Sequence, residues 1–522
     1  MSGTTLLRLV AAAGIIVFTA CAPESKNETT APQDVPATHG PRTIVTTDGE
    51  IDDVDSFIRM LLYTNELQVE GLVYSSSMWH YKGDGQGTPF TSKMEMTRNI
   101  YGERTDLRWP GTTWMDTLLS AYGEVYPNLL LHDARFPHPD SLRALVKVGN
   151  IDFEGSMARD TEGSDWIKAK LLDQNPEPIY LQVWGGTNTI ARALKSIQDQ
   201  YGDTDQWEEI YRKVCAKAVI YAILDQDATY REYIAPNWPD LKVFYNANQF
   251  WCFAYPWKRA VPEPWHPYME GAFMKSHLVQ GHGPLLEHYY SYGDGQQQAG
   301  DPEHIHGVAL DSFNLGRMGQ NWGPFEPYDF ISEGDSPAYL HLVDVGLGNL
   351  EQPHIGGWGG RLVQSDSVPT RWEDGPQAAD FNPFREEIDP TYPQTRWVPA
   401  LQHDFAARAD WCVKPFAEAN HPPVVTLDHP AVLEVLPGEA LSLKGMATDP
   451  DGDQLEYRWW QYWEVDSYGG RLELGSASQP ELLLQIPEDL GPGEDLHLIL
   501  EVSDVAEHPM TRYRRVVLKA RG

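Results

Sequence analysis

Apolar residues recur along this chain in two rhythms. Arg42–Thr47 (RTIVTT) and Val69–Tyr74 are short runs rich in β-branched residues, the pattern of buried strands. Between them Val54, Phe57, Ile58, Leu61 and Leu62 fall three and four residues apart, which predicts a helix with one apolar face. Pro178–Trp184 (PIYLQVW) predicts another strand, a GGTN loop follows it, and Ile190–Ile197 continues as a helix. Ala218–Leu224 and Lys242–Tyr245 are further strand candidates. Strands alternating with helices predict an α/β fold: a mostly parallel, open sheet with flanking helices. Such sheets bind ligands beyond the C-terminal ends of their strands.

The rhythm weakens across residues 253–335, which are rich in Pro, Gly, His and aromatics, and predicts long ordered loops over a site. The stretch DFAARADWCVKPFAEA is the last helical pattern before His421-Pro422-Pro423. Beyond that boundary short alternating strands are separated by Gly, Pro and Asp turns, which predicts a smaller all-β, Ig-like sandwich over residues 421–522. The α/β unit then spans 41–420. At the other end Arg8 precedes an apolar run from Leu9 to Phe18, followed by Thr19-Ala20-Cys21. Residues 1–21 read as a signal peptide whose small residues before Cys21 resemble a bacterial lipobox, with an ordinary signal peptide as the alternative. Residues 22–40 are polar and Pro-containing, as a flexible tether would be. This predicts a periplasmic or cell-surface lipoprotein that meets the membrane only through a lipid on Cys21.

Composition narrows the partners. Lys and Arg number 40 and Asp and Glu 75, a net charge of −35. So acidic a chain does not suit a nucleic-acid backbone, but it allows neutral or cationic ligands and divalent metals. Besides Cys21, three cysteines remain: Cys215, Cys252 and Cys412. They lack metal-ligand spacing and read as buried thiols, with at most one disulfide among them.

The densest chemistry follows the first strand, in Thr46-Thr47-Asp48-Gly49-Glu50-Ile51-Asp52-Asp53. Asp48, Asp52 and Asp53 would repel one another unless a cation sat between them, and hard oxygen donors at this density suit Ca²⁺. Alternatively, Asp52 and Asp53 only cap the next helix.

This segment resembles the N-terminal signature of nucleoside hydrolases, D-x-D-P-G-x-D-D. Asp48, Asp52 and Asp53 match it, Thr46 replaces the first Asp, and Gly49-Glu50 replaces Pro-Gly. Trp184-Gly185-Gly186-Thr187-Asn188 resembles that family's GPLTN loop, and Glu333-Gly334-Asp335-Ser336-Pro337 resembles its H-D-P segment. A closer resemblance covers nearly the whole chain. Bacterial secreted proteins described as cellulose-binding combine a nucleoside-hydrolase-like domain with a β-sandwich, and their pattern is similar to TTDGEIDDVDSF, WGGTNTIARAL, DQDATYREYIAPNWPDL, GHGPL, EGDSP, GGWGGR, DFAARADWC and HPPVV here.

The resemblance implies that Asp48, Asp53, the Thr187 carbonyl and Asp335 ligate Ca²⁺. It implies that Asp48 is the general base on a water oriented by the metal, and that Asp52 binds sugar hydroxyls. The chemistry implied is hydrolysis of a glycosidic bond in a plant-type, cellulose-like poly- or oligosaccharide. A non-catalytic carbohydrate-binding lipoprotein and a nucleoside N-ribohydrolase are the rivals. Asn188, Asp225 and Asp227 are further candidates for sugar contact, although Asp225 could equally end a strand. Trp184, Trp79 and Trp358 are candidate stacking surfaces, Trp358 above all because glycines flank it. Gly334 stands where nucleoside hydrolases often carry a His that helps the leaving group; His80, His282, His304 or His306 could substitute from loops. In the C-terminal domain Asp449-Pro450-Asp451-Gly452-Asp453 reads as a turn or a secondary Ca²⁺ site, and Trp459, Trp460, Tyr462 and Trp463 divide between core and a carbohydrate platform.

Overall fold

A computed structural model describes residues 40–300, 309–475 and 477–521. The signal segment with Cys21, the tether up to residue 39, and His304 and His306 lie outside the described residues. Among the described residues, no helix is long and apolar enough to cross a membrane.

The main sheet has eight strands: β1 (Arg42–Thr47), β2 (Gln68–Tyr74), β3 (Val146–Val148), β4 (Ile179–Val183), β5 (Ala218–Ile223), β6 (Lys242–Asn246), β7 (Val363–Gln364) and β8 (Arg371–Glu373). Their order is β3-β2-β1-β4-β5-β6-β8-β7. Every neighbouring pair is parallel except β7 with β8. The expected mostly parallel sheet is therefore present.

Side chains alternate across it. Val45, Tyr180, Tyr221 and Phe244 face one core, which includes Phe57 and Ile58 of α1 (Ile51–Leu61). Ile44, Leu181, Ile220 and Val243 face the other, which includes Ile190 and Leu194 of α2 (Asn188–Tyr201). Apolar layers on both faces explain why β1 is buried at all six positions and why its sequence lacks a polar face. The described parts of residues 253–335, namely 253–300 and 309–335, are more regular than expected. They fold into short turns of helix such as Trp257–Ala260 and Gly271–Met274, too brief to leave a long periodic pattern.

The C-terminal strands form two small sheets. One is β9 (Val424–Leu427), β11 (Ala440–Thr448) and β13 (Glu481–Gln485) in the order β9-β11-β13. The other is β10 (Val432–Val435), β12 (Leu455–Gln461), β14 (Asp495–Asp504) and β15 (Thr511–Ala520), in the order β10-β15-β14-β12. Pairing is antiparallel except between β10 and β15. Leu443, Trp459, Leu482, Leu498 and Val516 fill the core between them.

The four-stranded sheet also packs on the α/β unit. Tyr462, Ile499, Met510 and Tyr513 belong to the same apolar cluster as Phe405 and Leu401 of α3 (Val398–Trp411). Buried Arg515 donates to the carbonyls of Leu347 (2.7 Å), Ile355 (2.8 Å) and Gly356 (3.1 Å). Arg512 pairs with Asp404 of α3 at 2.9 Å. Cys215, Cys252 and Cys412 are free thiols.

Candidate functional site

The C-terminal end of β1 delivers Asp48 to a tight turn. Gly49 has φ +80°, and a Cβ there would meet the Trp114 indole nitrogen at 2.7 Å, so glycine lets the chain pass. The Asp48 carboxylate accepts the Glu50 amide (3.1 Å), and the Asp53 carboxylate accepts the Asp48 amide (3.2 Å) and the Thr47 hydroxyl. These bonds tie Asp53, in the first turn of α1, back to the strand end, while the Asp52 carboxylate accepts the Asp53 amide at 3.2 Å. The acidic first turn of α1, favoured by the helix dipole, and the site thus use the same carboxylates, with no side-chain cap at Glu50.

Asp335 arrives from a distant segment, and α1 positions that segment too. Arg59, near the other end of α1, is buried; it pairs with Glu333 at 3.1 Å and donates to the Leu401 carbonyl at 2.7 Å. Glu333 also accepts the hydroxyls of Tyr289 and Ser336. This network fixes the turn that presents Asp335, two residues on.

One carboxylate oxygen each from Asp52, Asp53 and Asp335 lies within 4.8 Å of the others. Asp335 Oδ1 is buried and has no hydrogen-bond partner among the described residues. Burial pushes Asp335 well above the usual carboxylate range, and the charges of Asp52 and Asp48 add to the effect. Burial does the same to Asp53, helped by Asp48 and Asp335, and to Asp52, helped by Glu50 and Asp48. Asp48 differs. Burial would raise it, but its neighbours His80 and Ser77 outweigh that and hold it below its ordinary value. The His80 Nδ1 lies 3.8 Å from Asp48 Oδ2 and 3.9 Å from Glu50 Oε2. Hard oxygen donors, mutual repulsion and an unpartnered buried oxygen together fit a divalent cation of the hard type.

The structure distributes the other candidates differently. Thr187 does not turn its side chain to the cluster: its hydroxyl meets Asp227 (3.2 Å) and Thr229 (2.6 Å), and its carbonyl accepts the Ala191 amide. Asn188 is saturated, donating to Ser76 and the Asn150 carbonyl and accepting from Ser75. Asp227 accepts the Asn188 amide at 2.9 Å and the Thr229 amide at 2.9 Å, so it caps α2. Asp225 accepts the amides of Tyr230 and Arg231, with burial and Asp227 raising it to about 6. These polar groups sew the loops after β4 and β5 together. Trp184 is core, with its indole N–H on Gln182. Trp358 is fully buried where the sandwich meets the α/β unit. Its flanking glycines serve close packing of the protein on itself, since a Cβ at Gly356 would lie 2.7 Å from the Tyr462 hydroxyl. His282 is buried and 3.4 Å from Asp410, away from this cluster in its contacts.

Trp79 is half-buried, between Ser77 and His80, both neighbours of Asp48. Thr46 donates to the Gln182 carbonyl. Gly334 proves sterically constrained: a Cβ there would come within 2.7 Å of Asp52 Oδ2. The turn Asp449–Asp453 is closed by Asp449, which accepts the amides of Asp451 and Asp453, and Asp451 holds His421. Its three carboxylates also fall within 4.8 Å of one another.

Several site neighbours carried no motif. Tyr255 donates to Glu50 at 2.8 Å, and Arg108 stands 3.8 Å from the same carboxylate. Trp322 stacks on Tyr255 with centroids 6.0 Å apart. Phe250 packs beside Gly334, and the neighbouring Trp251 remains 38% exposed. An arginine within an apolar helix face, as at Arg59, was the one legible hint of the buried network.

Fold and site define an α/β protein of nucleoside-hydrolase-like type, with a carboxylate cluster beyond β1 and a β-sandwich packed against its far elements. Residues 42–362 match the family described as "Cellulose-binding Sde182, nucleoside hydrolase-like domain", and residues 440–520 match "Cellulose-binding protein Sde0182, C-terminal domain". The chain belongs to this Sde182 family of nucleoside-hydrolase-like proteins. A solved structure from Saccharophagus degradans, a nucleoside hydrolase-related hypothetical protein associated with carbohydrate metabolism, is 25% identical, with a TM-score of 0.67 over 92% of this chain and 100% of that one. Murine CRIg (12% identical, TM-score 0.15, 20% of this chain and 100% of that one) and three N-terminal domains of the bacteriophage RB49 capsid protein Hoc (13%, 0.13, 19% and 30%) also align, too weakly to carry an argument. No curated protein matches the chain.

Proposed function

We propose that this protein binds a cellulose-like carbohydrate at the carboxylate cluster beyond β1 and hydrolyses a glycosidic bond there. The observation that carries this reading is the convergence of half-buried Asp52 with buried Asp53 and Asp335, whose charges and that of nearby Asp48 repel one another, with an unpartnered oxygen on Asp335. The family's description as cellulose-binding and the association of the Saccharophagus protein with carbohydrate metabolism support the substrate class.

Asp48, Asp53 and Asp335 would hold Ca²⁺, which when bound orients a water and stabilises negative charge on it. Asp48, kept ionised by His80 and Ser77, takes the proton from that water. Asp52, beside Ser332, receives sugar hydroxyls. Trp251 and the Tyr255–Trp322 pair offer ring faces for sugar C–H groups. The protein acts after export, anchored through Cys21. A second reading, a binding protein without turnover, is favoured by one observation: at Gly334 there is no imidazole to protonate a leaving group.

The test incubates purified protein and Ca²⁺ with cello- and other plant oligosaccharides, aryl glycosides and nucleosides. Reducing-sugar release lost in Asp48→Ala, with folding retained, supports hydrolysis. Retention on insoluble cellulose with no turnover of any substrate establishes the second reading instead, and nucleoside cleavage alone rejects the carbohydrate substrate.

A further inference from the structure

A second cluster of metal-binding side chains lies where the sandwich meets the α/β unit, and the function above does not use it. His277 sits in the helical turn Lys275–Val279, and Glu507 and His508 sit in the loop that joins β14 to β15. One ligand atom from each of the three lies within 4.8 Å of the others. The loop is already held in place: Asp504 accepts the Met510 amide, and Asn420 donates to Asp504 and to the His508 carbonyl.

His508 is only 5% exposed, yet its Nδ1 has no hydrogen-bond partner among the described residues. The His277 ring stands 4.6 Å from it at 78°, and His403 of α3 lies 5.9 Å away. Aromatic packing alone would account for the ring contacts. It does not account for a buried imidazole nitrogen left unbonded beside a second imidazole and a carboxylate. Two imidazoles and one carboxylate are the donor set of a borderline divalent ion such as Zn²⁺, with the solvent side left for water, whereas the all-oxygen cluster beyond β1 suits a hard ion.

We propose that His277, Glu507 and His508 form a Zn²⁺-class metal site that ties the β14–β15 loop of the sandwich to the α/β unit. Binding to this folded arrangement stabilises it, because the three ligands come together only when the two parts are docked.

The experiment uses the full chain, stripped with chelator and held in saturating Ca²⁺ so that oxygen-only sites are occupied. Calorimetric titration with Zn²⁺ should show one ion per chain, and Co²⁺ should give the visible absorption of a nitrogen-ligated, four- or five-coordinate site. His277→Ala and Glu507→Gln should each weaken Zn²⁺ binding at least tenfold and abolish the rise in Tm that Zn²⁺ gives the unaltered chain. Glu507 is exposed, so its substitution keeps the test decisive if His277→Ala fails to fold. No Zn²⁺ binding by the unaltered chain, or binding that survives both substitutions unchanged, overturns the proposal.

Discussion

Replacing Asp335 by Asn should make the protein more stable without metal and indifferent to Ca²⁺. At the 4.8 Å limit of separation, each ionised pair in the cluster costs ~3.5 kcal/mol at an effective dielectric constant of ~20. Asp335 makes such pairs with both Asp52 and Asp53. The carboxyls respond by taking up protons, which relieves part of the repulsion and leaves a net gain of about 1–3 kcal/mol for Asp335→Asn at neutral pH. At an unfolding entropy of ~2.1 cal/mol/K per residue, a chain this long shifts by about 1 °C per kcal/mol.

The sign follows from linkage. Carboxyls with raised values bind more protons in the folded state, so their contribution is full below their ordinary range and is lost as pH rises through the raised values. The metal-free protein should therefore weaken as pH rises above the ordinary carboxylate range, and Ca²⁺ should restore it. Melting would be followed at pH 7 in chelator and in Ca²⁺ at ~1,000 times its Kd, where the unaltered chain should gain about 4 kcal/mol, or about 4 °C. Asp335→Asn should melt about 1–3 °C higher than the unaltered chain in chelator and show no Ca²⁺ effect. A variant that melts lower in chelator and still gains stability from Ca²⁺ would show that these carboxylates are neither mutually repelling nor ligands.

Asp404 should confer stability that acid removes. Burial pushes it up, but Arg512 and Arg408 hold it at about 2, so about 2 kcal/mol present above pH ~4 should vanish as pH falls to ~2, and Asp404→Asn should flatten that part of a pH–Tm profile. Arg515→Met should cost about 3–5 kcal/mol by stripping donors from three buried carbonyls, and limited proteolysis should then release the sandwich; intact chain under those conditions would deny Arg515 that role. Trp251→Ala should reduce retention on cellulose about tenfold with Tm unchanged within ~1 °C, since an exposed ring contributes to binding and little to the fold; unaltered retention would move the binding surface elsewhere.

The alternation of buried strands with amphipathic helices, and the short strands after His421, determined the class of fold, because period-two and period-3.6 burial leave their mark on local sequence. Asp48, Asp52 and Asp53 were legible for the same reason: one turn and one helix start bring them together. Asp335 could be paired with them only through a resemblance. Its placement depends on Arg59 reaching Glu333 across the core, a contact 274 residues apart in the chain. The roles of Asn188, Asp225, Asp227, Trp184 and Trp358 were decided by tertiary structure alone. A polar group or an indole looks the same in sequence whether it meets a ligand or closes a loop, and only the packed neighbours decide which. The same holds for the junction with the sandwich, where Arg515 and Tyr462 find partners that no local pattern encodes, because burial there is shared between segments far apart in sequence.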